Sequence, residues 1–166
     1  MPHHYILRRF RTFKLFISHA WDRSEDYDGV IDLLRSDPEF KFEDLSAPEH
    51  RPLLTSPELP RSNRFFIKQL DDRIKSAECV LILAGMYCGH RAWIQSEIEA
   101  ALEFKTPLIG VAPRGQERIP VEVSRVAEMV RWNSKSIVEA ICKNATAPRS
   151  SSRALYQGLL STPTQR

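Results

Sequence analysis

The chain has 166 residues, enough for one domain to bury a core without disulfides or metal. Its 42% hydrophobic and 27% charged content is that of an ordinary globular protein, not of a fibrous or natively unfolded one. The net charge of +3 is weak, and much of it lies outside the middle of the chain, in Arg8, Arg9, Arg11 and Lys14 and in Arg149, Arg153 and Arg166, which argues against a dedicated nucleic-acid face.

In chain order, a basic leader over 1–12 precedes a first apolar strand, Lys14 to Ser18. A helix follows near Asp26 to Ser36, with Val30, Ile31, Leu33 and Leu34 inward, and Phe40 to Leu45 alternates like a second strand. The connection from Ser46 to Asn63 carries Pro48, Pro52, Pro57 and Pro60, which forbid a helix; a loop of that length is usually functional or disordered. Arg64 to Ser76 reads as a helix with Phe66, Ile67, Leu70 and Ile74 as its buried stripe. "CVLILAG" is a continuous aliphatic run suited to the middle of a parallel sheet. Arg91 to Lys105 is a third long helix and "PLIGVAP" a fourth strand. A short helical piece near Val121 to Val126, a weak strand in "EMVRW" and a closing helix from Ser134 to Lys143 complete the domain, expected over 13–145. The remainder, 146–166, is rich in Ser, Thr, Pro and Arg and reads as a disordered tail.

Strands separated by single helices mean βαβ units and a parallel sheet. The expected fold is α/β: a flavodoxin-like three-layer sandwich with a five-stranded parallel sheet of order 2-1-3-4-5. Ligands of such sheets bind beyond the carboxyl ends of the strands, where the order reverses between strands one and three. Ser18, His19 and Trp21 leave strand one at that crevice, and "GMYCGH" leaves strand three beside it. Familiar chemistries do not fit. GxxxxGK[ST], GxGxxG and GxSxG are absent, strand three ends in Ala84 and Gly85 where a receiver domain needs an Asp, and no histidines stand at metal-ligand spacing. No metal or bound cofactor is expected. Three cysteines without a CxxC, and the lack of a signal-peptide apolar run or a membrane-length segment, point to a reduced, cytoplasmic protein.

One acid is out of place. On the helix "RAWIQSEIEAALEFK", Ile94, Ile98, Ala101 and Leu102 form the expected core stripe, while Ser96, Glu99 and Glu103 share the solvent face. Glu97 sits on the opposite flank, one turn from Trp93 and near Ala100 and Phe104. A carboxylate among apolar neighbours is costly unless it is paired or used. Geometry leaves two readings: a functional acid aimed back toward the crevice, or an ion pair with an arginine such as Arg91 or Arg51.

"KLFISHAW" on strand one, the proline-bearing loop after strand two and "WIQSEIEAAL" on the third helix together resemble the TIR domain, most closely the bacterial TIR-like proteins of Thoeris anti-phage systems. The resemblance covers roughly 11–143. Its most specific element is Trp93 followed by Glu97, matching the family's Trp-x-x-x-Glu, in which the Glu is the catalytic acid of NAD-cleaving members. Common TIR sequences carry a Ser-Tyr-Ser-like strand end, whereas this chain has Ser18-His19-Ala20-Trp21.

The resemblance implies an enzyme that consumes NAD as substrate, with Glu97 stabilising an oxocarbenium-like transition state and Trp93 walling the nucleoside. Ser18, His19, Trp21, Ser46 and Tyr87 are candidates for the rest of the substrate pocket. Each has a plainer alternative: His19 can bond a backbone carbonyl, Trp21 can pack under the proline-rich loop, and Tyr87 can hold its own loop. The implied product is a cyclic or conjugated ADP-ribose messenger read by a separate effector protein, with self-association as a further possibility and neither nucleic acid nor membrane as partner. The competing class is a non-catalytic TIR-type module that scaffolds signalling partners.

Overall fold

A computed structural model describes residues 11–18, 24–46, 64–115 and 118–146, apart from the side chains of Phe65 and Phe66. The elements are β1 (Thr12–Ser18), α1 (Glu25–Arg35), β2 (Lys41–Asp44), α2 (Arg64–Ser76), β3 (Cys79–Leu83), α3 (Arg91–Glu103), β4 (Leu108–Val111), α4 (Val121–Ser124), β5 (Glu128–Val130) and α5 (Ser134–Asn144). The sheet runs β2-β1-β3-β4-β5 and every neighbouring pair is parallel, the order and sense expected from the alternation of strands and helices.

Burial explains the order. β3 and β4 are buried along their whole length, as strands covered on both faces must be. The edge strands β2 and β5 are short and alternate or fade toward solvent, which limits edge-to-edge pairing. Helix α1 lies beside α5 and α2 beside α3, so the pairs cover the two faces. Side chains start two of these helices: Ser24 accepts the Tyr27 N–H at 3.2 Å and Asn133 the Ser136 N–H at 2.9 Å. Glu25, Asp26 and Asp28 then fill the first turn of α1, where the dipole favours them.

Three details differ from the sequence expectation. β3 stops at Leu83, and Ala84–Met86 form a single 3₁₀ turn instead of prolonging the strand. Helix α3 stops at Glu103, with Lys105 just beyond it in the left-handed region at φ 55°. Its buried face is rotated from the expected one: Ile94, Glu97, Ile98, Ala100 and Ala101 are buried, and Leu102 is 52% exposed. At about 100° per residue, Glu97 stands roughly 60° to one side of Ile94 and Leu102 roughly 80° to the other. The buried arc takes in the acid and leaves the leucine out.

At the amino ends of the strands, buried Glu78 gathers both ends of the described chain. Its carboxylate accepts the Lys14 N–H at 3.1 Å and pairs with Arg11 at 2.9 Å, and its carbonyl accepts the Thr146 N–H at 3.0 Å. Most of the leader and tail, and the connection over 47–63, lie outside the described residues. No helix among the described residues is long and apolar enough to cross a membrane.

Candidate active site

β1 and β3 lie side by side with Ser18 in register with Ile82, so β1 ends at the point where the strand order reverses. The Ser18 side chain is fully buried there, and its hydroxyl donates a hydrogen bond to Oε2 of Glu97, reaching across from α3. Glu97 is 1% exposed. Of the arginines considered as its partner, Arg91 turns outward to Glu122 at 2.8 Å, and Arg51 lies outside the described residues. Burial penalises the charged carboxylate and pushes its pKa up to about 7, with the Ser18 hydrogen bond pulling partly the other way. Near neutrality this acid therefore divides between its two protonation states. No other described carboxylate combines such burial with so large a shift, and that combination in a crevice marks functional groups.

Ser46 is also fully buried, just past β2. Its Oγ accepts the Ile17 N–H at 3.2 Å and donates to Asp44 Oδ1 at 2.5 Å, while its own N–H donates to the same oxygen at 2.8 Å. The other Asp44 oxygen accepts the Tyr27 hydroxyl, delivered from the first turn of α1. Ser46 thus binds the backbone one residue before Ser18. Asp44 and Tyr27 were not singled out from sequence. The available signal was the Asp-x-Ser spacing after a strand, which favours a local side chain-to-backbone bond.

Tyr87, after the 3₁₀ turn, is 2% exposed and its hydroxyl donates to Gln95 Oε1 on α3 at 3.1 Å. It ties the β3 end to α3. Trp93 is half-buried against the core, one turn before Glu97 on the same helix. His19 and Trp21 lie outside the described residues. The site that emerges is the Ser18–Glu97 pair, with Trp93 along the helix and Ser46 behind the strand. Among the described residues no three His, Cys, Asp or Glu side chains converge as metal ligands.

No curated protein matches this chain. The family model described as the Thoeris protein ThsB, TIR-like domain, matches residues 16–118, a span from β1 to the loop before α4 that contains Ser18, Ser46, Trp93 and Glu97. By that match and by its sheet order, the chain belongs to the ThsB TIR-like domain family of Thoeris defence.

Proposed function

We propose that this protein is an NAD-consuming enzyme of Thoeris-type anti-phage defence, acting in the cytoplasm, with Glu97 as its catalytic carboxylate. The observation that carries the reading is the placement of a buried carboxylate, held by the Ser18 hydroxyl, where β1 ends at the topological switch point. A scaffolding module has no use for an acid in that position, and burying one is costly.

The chemistry follows from the substrate. In NAD the bond from ribose C1′ to the pyridinium nitrogen breaks with its electron pair moving to nitrogen, so nicotinamide leaves neutral. Positive charge develops on the ribose, and a carboxylate in a low-dielectric site stabilises it far better than one in water. The same oxygens can hold ribose hydroxyls and fix the ring. Trp93 supplies a flat apolar surface beside the acid for the nucleoside. His19 and Trp21, one and three residues after Ser18, are assigned to the opposite wall, with Tyr87 setting the position of the β3 end. Excluding water from the cation favours capture by a hydroxyl already in the pocket, which loses its proton as the new C–O bond forms. The product is then a cyclic or conjugated ADP-ribose, read by a separate effector. With Glu97 at 1% exposure, substrate contact requires its cover to move, which suits an enzyme switched on by infection.

The test is incubation of the protein from phage-challenged cells with NAD, chromatography for nicotinamide and mass spectrometry for the ribosyl product. Nicotinamide together with a cyclised or conjugated ADP-ribose is expected. Nicotinamide accompanied only by linear ADP-ribose contradicts the product assignment, and release of no nicotinamide contradicts the enzyme.

A further inference from the structure

Behind the Ser18–Glu97 pair lies a second, partly buried polar cluster that the chemistry above does not use. Asp44 accepts three hydrogen bonds: from the Tyr27 hydroxyl on one oxygen, and from the Ser46 N–H and Oγ–H on the other. The Ser46 hydroxyl, its proton committed to Asp44, turns its lone pair to the Ile17 N–H. That amide belongs to the residue preceding Ser18, whose side chain meets Glu97. The direction of every bond in this chain is therefore set by the Asp44 carboxylate, which only accepts. Without it Ser46 loses the two bonds that fix its Oγ beside the Ile17 N–H.

We propose that Asp44 is a positioning residue which, through Ser46 and the Ile17 amide, holds the end of β1 so that the Ser18 hydroxyl is delivered to Glu97. The proposal rests on the reading of Glu97 as the functional carboxylate, but its test does not depend on turnover. The β1–β2 register, with Leu15 opposite Asp44, brings Ser46 to Ile17, so the brace meets the strand one residue before the acid's hydrogen-bond donor. The cluster also draws one contact from each of the three segments that converge here: Ile17 from β1, Ser46 from the end of β2 and Tyr27 from α1. Connected polar networks favour a single geometry, most strongly at their buried members, here Ser46 and Tyr27.

The experiment follows the Glu97 carboxyl carbon by NMR of the ¹³C-glutamate-labelled full chain across pH, with Glu97→Gln assigning the resonance. Because the Ser18 bond favours the charged form, losing it must raise the Glu97 midpoint. Ser18→Ala sets the size of that rise. Asp44→Ala and Ser46→Ala are expected to raise the midpoint as well, by roughly half a pH unit or more. Asp44→Asn, which keeps an acceptor toward Ser46, is expected to stay near wild type. Combining Asp44→Ala with Ser18→Ala should add nothing to Ser18→Ala alone. Ser46→Ala, which leaves Asp44 in place, carries the test if Asp44→Ala does not fold. An unaltered or lowered midpoint in folded Ser46→Ala or Asp44→Ala overturns the proposal, and failure of NAD cleavage with the midpoint shifts intact overturns only the enzymatic reading.

Discussion

At Glu97 the role proposed for the acid runs against the stability of the fold. Its pKa rises from 4.5 to about 7 on folding because burial disfavours the charge. The folded state thus prefers the protonated acid, and the resulting stabilisation is whole below pH about 4.5 and lost as pH rises through about 7. The difference amounts to ~3 kcal/mol between the two limits. Catalysis has the opposite dependence, since only the carboxylate stabilises a developing cation, so turnover should climb with pH through about 7. Melting curves check the stability side of this. The melting temperature of Glu97→Gln relative to wild type should move in the mutant's favour between pH 4 and pH 8, and a pH-independent difference would contradict the buried charge. That Glu97 stands off the solvent face was legible from helical periodicity; that it lies in the core stripe was not. The count took Leu102 as inward because leucine is apolar, but the packed face is chosen by what α3 leans on, and hydrophobicity alone does not fix its angle within half a stripe.

At the scale of elements, the strands and helices were readable wherever an apolar run or a 3.6-residue stripe was long. β3 and α2 are the clearest cases, and α2 has its expected limits of Arg64 and Ser76. Their ends were less legible because termini are set by local bonds. The Ala84–Met86 turn and the left-handed Lys105 leave no periodic signal. The brace from Asp44 to Ile17 was invisible for a related reason, since it needs the register of β1 against β2 to bring distant residues together. One element-level test concerns the β4–β5 seam. A Cβ on Gly110 would stand 2.3 Å from Met129 Sδ and 3.2 Å from Val123 Cγ1, so the glycine is what admits both side chains over β4. Gly110→Val should therefore cost ~2 kcal/mol by overpacking. Urea unfolding should show a lowered midpoint with an unaltered slope; a midpoint equal to wild type would show that Met129 swings away without cost.

For the molecule as a whole, the sheet separates a structural anchor from the proposed active centre. Glu78, at the amino ends of the strands, secures Arg11, Lys14 and Thr146, whereas Ser18 and Glu97 meet at the carboxyl end of β1. Glu78→Ala takes the carboxylate from the Arg11 guanidinium and the Lys14 N–H but keeps the backbone carbonyl that holds Thr146, and should remove ~2 kcal/mol of stability. Turnover per folded molecule should be unaltered; a selective loss of activity would mean that the two ends of the sheet are coupled. The family match and the topology support placing the active centre at the opposite end, and there the account rests on one acid. The most direct test compares nicotinamide release from NAD by wild type, Glu97→Gln and Glu99→Gln under the same activating conditions. Glu97→Gln preserves shape and removes charge, so release should fall roughly 10²-fold or more, with the fold retained by circular dichroism. Glu99→Gln, on the exposed face of the same helix, should match wild type. Equal release by all three proteins would contradict the assignment of Glu97 as the catalytic carboxylate.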